Sequence, residues 1–368
     1  MSDHIHELDD LDFTEDDYDE TPPNDIVAYN ELRSCADLFR MFENGDLDIH
    51  PRFQRDIVWN PSLQTRFIDS LIKQLPIPSM CLALDYKQSK WIVIDGLQRM
   101  ATIIRFLKGD NWRLSSLEDV NKDISGVHVA TIKNSTGKLK AYFTRVQNQS
   151  LPINVLRCDF NKRAHMEYLF TIFHRLNAGG MKLNNQEIRN CIYGGSLNDL
   201  LADLDRNKIW RKLNRMTDPD YNYRFVKQEV ILRFFAFEQD YRKDVKGRKY
   251  KGQVAKFLND FMYEHRSDSP SEIEAKRALF VDVVQVLDRV FPNGPDSRIP
   301  TSVLESALVG IANNVQALKL RNDEELQSIF TRFRSSPEFN EEAVAEGLSK
   351  KDKVDARFNA AFAVFGTP

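Results

Sequence analysis

Apolar residues recur at three- and four-residue intervals along most of the chain, interrupted in its first half by short β-branched runs. Ser34 stands three residues before Asp37, a spacing that resembles a capping box and predicts a short helix to about Glu43, closed by the Asn44-Gly45 turn. Pro61-Ser62 opens a helix with Leu63, Phe67, Leu71 and Ile72 on one face. It stops at Gln74-Leu75-Pro76, because proline disfavours helix in the residue before it. Met80 to Leu84 and Trp91 to Ile94 read as strands joined by a polar turn. A helix follows to about Leu107 and ends at Gly109; Pro152 to Phe160 reads as another strand. Residues 163–176 form an apolar-rich helix before Gly179-Gly180. Past residue 195 strand signals fade, and helical stretches fall at roughly 196–212, 225–239, 253–264, 271–290, 300–318, 323–333 and 351–363. The expected class is α+β: an acidic tail over 1–25, a small mixed-sheet α/β domain over 26–195 and an all-helical domain over 196–368.

Charge changes this picture at one end. Residues 1–25 hold eleven acids and no Lys or Arg. The formal net charge of −3 therefore divides into a strongly acidic tail and a remainder with 43 acids against 51 bases, about +8. A disordered solubilising tail accounts for the first part, and a basic body is suited to a polyanion. No run approaches the 18 apolar residues of a membrane span, and no basic start followed by an apolar stretch marks a secretory signal. The four cysteines (Cys35, Cys81, Cys158, Cys191) have neither zinc spacing nor a disulfide framework, so the expected compartment is the cytoplasm and no protein-held metal is expected.

Three segments are unlike ordinary core or surface. In Ile94-Asp95-Gly96-Leu97-Gln98-Arg99, a buried strand runs through a glycine into a helix. That geometry puts backbone N–H groups at a helix N-terminus, where an anion is favoured. An arginine in the first turn opposes the helix dipole unless an anion offsets it. Asp95 is suited to a divalent cation, to orienting Arg99 or to activating a water. The same residues also read as a helix cap and its ion pair. Pro51-Arg52-Phe53-Gln54-Arg55 supplies a second Gln-Arg pair. In the third segment, residues 173–190, Asn184 and Glu187 fit a capping box. Arg175, Asn177, Arg189 and Asn190 crowd around the same turn and are candidates to line a nucleotide or nucleic-acid cleft. No GxxxxGK[ST] run is present, so a nucleotide site here is not a P-loop.

In this order, PRFQR at 51–55, DGLQR at 95–99, HRLNAGG at 174–180 and QEIRN at 186–190 resemble the N-terminal domain family of GmrSD-type, modification-dependent restriction endonucleases. The resemblance covers about residues 26–240. It implies a ParB/sulfiredoxin-like fold, binding and hydrolysis of NTP with Mg²⁺, and recognition or cutting of modified DNA in defence against phage. Carried over by position, Asp95, Gln98 and Arg99 are the catalytic candidates. Gly96, Gln54, Arg55, Arg175, Asn177, Arg189 and Asn190 are the nucleotide- or phosphate-binding candidates. Leu97 stands where the family usually has Gln, which removes one polar group from the motif. Many members also carry a His-containing metal nuclease domain, but after residue 180 this chain has only His265. It resembles a stand-alone first domain with a helical extension.

A basic stretch flanked by Tyr241 and Tyr250 supplies Arg242, Lys243, Lys246, Arg248, Lys249 and Lys251 as candidate contacts to a DNA backbone. A second basic stretch, residues 206–215, gives Arg206, Lys208, Arg211, Lys212 and Arg215 around Trp210, but 241–251 is the stretch assigned to DNA. Two functions follow: an NTPase associated with DNA and coupled to its cleavage, or a non-catalytic nucleotide- or DNA-binding module acting with a separate nuclease subunit. A purely structural helical adaptor is the third reading.

Overall fold

The computed structural model describes residues 22–49, 59–109, 111–176, 183–216, 225–242, 247–340, 343 and 347–366. They divide between Leu183 and Asn184 into two compact units.

The first unit is a mixed α/β layer structure. Its elements are β1 (Val27–Ser34), α1 (Cys35–Glu43), β2 (Leu47–Asp48), α2 (Pro61–Ile72), β3 (Met80–Asp85), β4 (Lys90–Asp95), α3 (Leu97–Lys108), α4 (Val129–Asn134), α5 (Lys138–Asn148), β5 (Ser150–Cys158) and α6 (Arg163–Leu176). The sheet order is β1-β5-β3-β4-β2. β3 pairs antiparallel with β4 and parallel with β5, β1 lies antiparallel on β5, and β2 lies parallel to β4. Met80, Leu82, Trp91, Val93, Leu151, Ile153 and Val155 share one face, the period-two consequence of strand geometry. They pack with Leu38, Phe67, Leu71, Met100, Ile103 and Phe143 of the helices. Helix α6 packs against β4.

Local chemistry sets the element ends. Ser34 caps α1 by accepting from the Asp37 N–H at 3.1 Å, and Asn60 caps α2 through the Leu63 N–H at 2.9 Å, with Pro61 in the first turn. Helices α1, α2, α3 and α6 and strands β3 to β5 fall where the hydrophobic pattern places them. Strand β1 does not show in that pattern, because it is an edge strand with most positions exposed, Leu32 among them at 72%.

The second unit is entirely helical among the described residues: α7 (Asn185–Ile192), α8 (Ser196–Leu204), α9 (Lys208–Leu213), α10 (Val226–Tyr241), α11 (Val254–His265), α12 (Pro270–Val290), α13 (Thr301–Ala312), α14 (Val315–Lys319), α15 (Asp323–Arg334) and α16 (Lys351–Phe365), with a 3₁₀ turn at Pro337–Phe339. Helix α13 is buried from Thr301 to Ile311 and packs against α10, α12 and α16. Its Gly310 admits α16 so closely that a Cβ would lie 2.9 Å from the Ala361 Cβ. Two stretches that the sequence reads as single helices are broken. Asn207 caps a new helix through the N–H groups of Ile209 and Trp210, and Asn313-Asn314 separates α13 from α14. The expected cap at α7 is present: Asn184 and Glu187 form a reciprocal capping box. No described helix is long and apolar enough to cross a membrane.

Candidate functional site

Strand β4 delivers Asp95 to the end of the sheet, and Gly96 turns the chain into α3. Gly96 has φ +94°, and a Cβ there would lie 2.5 Å from the Met80 Cγ. Both facts require glycine. Among the described residues no side chain caps α3, and the first-turn N–H groups of Leu97, Gln98 and Arg99 have no intrahelical partner. The first intrahelical bond runs from the Met100 N–H to the Gly96 carbonyl at 2.9 Å. This is a helix N-terminus open to an anion.

Arg99 folds back over this turn. Its Nη2 lies 2.8 Å from Asp95 Oδ2, and its Nη1 donates to the carbonyls of Pro78 and, at 3.3 Å, Ser79. The Asp95 side chain is 39% exposed against 14% for Arg99, so the carboxylate faces solvent more than its partner does. Gln98 points the other way and accepts the Trp59 N–H at 3.3 Å. A polar relay continues from there. The Trp59 carbonyl accepts from Gln64 Nε2 at 2.9 Å, and Gln64 Oε1 accepts from Arg105 at 2.7 Å, whose guanidinium stacks 4.5 Å from Trp112. Leu97 is half-buried against the core, so at this position the residue contributes packing.

Two residues that sequence reasoning did not single out join this end of the sheet. The register aligns Asn154 with Cys81 and Cys81 with Asp95, across three strands. Asn154 Nδ2 lies 3.3 Å from the Ser79 hydroxyl. Strand pairing brings them together, and no local motif records it. Burial, with Asp95 adding to it, pushes the Cys81 thiol up to about 12, so Cys81 is a neutral thiol rather than a nucleophile.

The remaining candidates are placed as follows. Gln54, Arg55 and Asn177 lie outside the described residues. Arg175 is exposed in the last turn of α6. Arg189 and Asn190 sit on α7, in the helical unit rather than the unit of Asp95. Arg189 is 1% exposed and donates to Asn259 (2.8 Å), Glu229 (2.9 Å) and Gln186 (3.3 Å). Asn190 is buried between Gln186 and Gln228. These donors are engaged in the interior, where a charged network needs its partners. Glu229 also holds Arg233 at 2.6 Å, and Glu305 approaches Arg233 and Arg357 at 3.6 and 3.5 Å. Burial opposes the charge of Glu229, but the two neighbouring guanidinium groups outweigh it and hold that carboxyl below its ordinary range.

In the basic stretch, Lys243 and Lys246 lie outside the described residues. Arg242 and Lys251 are exposed. Arg248 stacks 4.0 Å from the Tyr241 ring, and Lys249 pairs with Glu264 at 2.7 Å. The Asp240 carboxylate accepts the N–H groups of Lys249 and Tyr250 and so shapes the segment.

Among the described residues no group of three His, Cys, Asp or Glu side chains is arranged to hold a metal. Among the described residues Asp95 is the carboxylate that pairs with Arg99 at the α3 turn. One carboxylate alone does not make a protein-held cation site; Mg²⁺ would need further ligands from water or a bound phosphate.

Residues 35–194 match the family model described as GmrSD restriction endonuclease, N-terminal domain. No curated relative and no solved structure matches the chain.

Proposed function

We propose that the chain is a nucleotide-binding, DNA-associated protein of restriction defence that hydrolyses NTP at the Asp95–Arg99 turn. One observation carries this reading: the family motif folds into an uncapped helix N-terminus beside a half-exposed carboxylate and an arginine. The first-turn N–H groups of α3 would take the phosphates. Asp95 would orient water or the Mg²⁺ of the incoming nucleotide. Arg99, released from Asp95, would meet the charge developing on the transferred phosphoryl group. Modified or phage DNA is the proposed macromolecular partner and the cytoplasm the proposed compartment. A ParB/sulfiredoxin-like origin of the first unit belongs to the same proposal.

A second reading has its own observation. Arg99 is held by Asp95 and by two loop carbonyls at once. That arrangement suits a nucleotide switch without turnover, whose separate nuclease subunit cuts the DNA. Phosphate release from each of the four NTPs with Mg²⁺, with and without plain or modified DNA, separates the two. Turnover that vanishes in a folded Asp95→Asn variant supports hydrolysis at this turn. Nucleotide binding without turnover in any condition leaves the switch.

A further inference from the structure

From Ile124 to Cys158 the chain has no Asp or Glu, while it has Lys133, Lys138, Lys140, Arg145 and Arg157. The fold gathers most of these bases with Lys108 on the face formed by the end of α3, by α4 and by α5. Lys133 Nζ donates to the carbonyls of Leu107 and Lys108 at 3.1 and 2.7 Å, where α3 ends. Lys140 Nζ donates to the Lys133 carbonyl at 3.0 Å and lies 5.4 Å from the Phe143 ring. Arg145 sits over Tyr142, and Lys108 over Phe42. None of Lys108, Lys133, Lys140 and Arg145 has a carboxylate partner among the described residues. Two described carboxylates of this unit are paired elsewhere, Asp123 with Lys138 and Asp69 with Lys73.

Two further features strengthen the positive field. Helix α5 begins with Lys138 and Lys140 in its first turn, has no acid there and has no side-chain cap at Gly137. Cations at a helix N-terminus raise its energy unless an anion sits against them. Beside them a groove of about 410 Å³ is lined by Gln74, Lys140, Ala141, Thr144, Arg145 and Asn148. Its amide and hydroxyl groups are of the kind that bond phosphate and sugar.

Seven residues of helix between Lys138 and Arg145 span about 10 Å. A duplex carries roughly six phosphate charges over that length. Aromatic faces and main-chain carbonyls hold the arms in place, so little side-chain freedom is lost on binding. We infer that this face of the first unit, Lys108, Lys133, Lys140 and Arg145 around the α5 groove, docks the phosphate backbone of a nucleic acid. The inference rests on the DNA-associated part of the proposed function and names where that contact is made. It is sequence-independent, since phosphate contacts position a protein without reading bases.

The test is binding of a labelled duplex to the full chain over a series of salt concentrations. Wild type is compared with a combined Lys108→Gln, Lys140→Gln, Arg145→Gln variant, and with a combined Arg248→Gln, Lys249→Gln, Lys251→Gln variant. All six side chains are at least partly exposed, and thermal melting checks the fold. The first variant is expected to bind about tenfold or more weakly, with a log–log salt slope shallower by about 2.7, roughly 0.9 per lost phosphate contact. Should it not fold, Arg145→Gln alone is expected to change the slope by about 0.9. Wild-type binding that the first variant retains in full overturns this surface and leaves the DNA-associated reading standing. No wild-type binding to any duplex or single strand overturns both. Polyglutamate that binds wild type as tightly as DNA, and loses as much in the variant, marks an acidic-protein surface and overturns the inference.

Discussion

Arg99 reaches back one helical turn to place its Nη2 2.8 Å from Asp95 Oδ2, across the glycine that joins β4 to α3. An acid and a base of the same motif thus neutralise each other at the mouth of an open helix N-terminus. A ligand phosphate that draws Arg99 away leaves the Asp95 carboxylate for water or a cation. In the proposed function the pair would couple phosphate binding to release of the acid.

Gly96 is the residue on which the geometry of the turn depends most. Its φ of +94° disfavours any side chain, and Met80 occupies the space a Cβ would need. Gly96→Ala is expected to destabilise the first unit by more than about 1 kcal/mol in denaturant unfolding. A variant as stable as wild type shows that the turn relaxes without cost.

The buried arginine of the third motif is expected to act through stability. Arg189→Met removes a guanidinium from Glu229, Asn259 and Gln186. Breaking one partner of such a network costs about 3–5 kcal/mol, because the remaining charge stays buried. Denaturant unfolding of the variant measures this. An unchanged unfolding free energy points instead to an Arg189 that is available to a ligand.

Asp205 sets a pH dependence of opposite sign to the usual carboxylate. Burial pushes its carboxyl up to about 6, with the Trp210 indole and neighbouring cations opposing. A folded-state pKa above the unfolded value makes ionisation destabilising. Its contribution is fully favourable below about pH 4 and is lost as pH rises through about 6. Asp205→Asn is therefore expected to raise stability at pH 7 by about 3 kcal/mol. The difference between variant and wild type should shrink as pH falls from about 6 to 4. A pH-independent difference in paired unfolding titrations contradicts this origin.

Much of the fold was legible because burial leaves a period in the sequence. Helix α3, with Asp95 and Gly96 before it and Gly109 after it, is readable from a strand, two glycines and an amphipathic run. Strand β1 was not, because its residues alternate nothing: it is held by main-chain pairing to β5, from Val27 opposite Arg157 to Ser34 opposite Ser150. Helices α4 and α5 lie in the acid-free stretch, where runs of Lys, Thr, Gln and Asn masked the buried Ile132, Tyr142, Phe143 and Val146. At the site, DGLQR was visible as a local motif. The neighbours that complete it, Pro78, Ser79 and Asn154, come from other strands and loops, and only the register of the sheet shows them. Arg189 and Asn190 follow the polar turn in sequence, and a local pattern does not show that their side chains are bonded inside the helical unit, to Asn259 and Gln228.

Binding of a non-hydrolysable NTP analogue with Mg²⁺, measured by calorimetry on wild type and on a folded Arg99→Ala variant, tests the phosphate-binding turn most directly. The expected result is saturable one-site binding by wild type, weakened at least about tenfold in the variant by loss of a charge-assisted contact to phosphate. Equal affinity in the two proteins, or no binding by wild type to any of the four analogues, contradicts a nucleotide site at Asp95–Arg99.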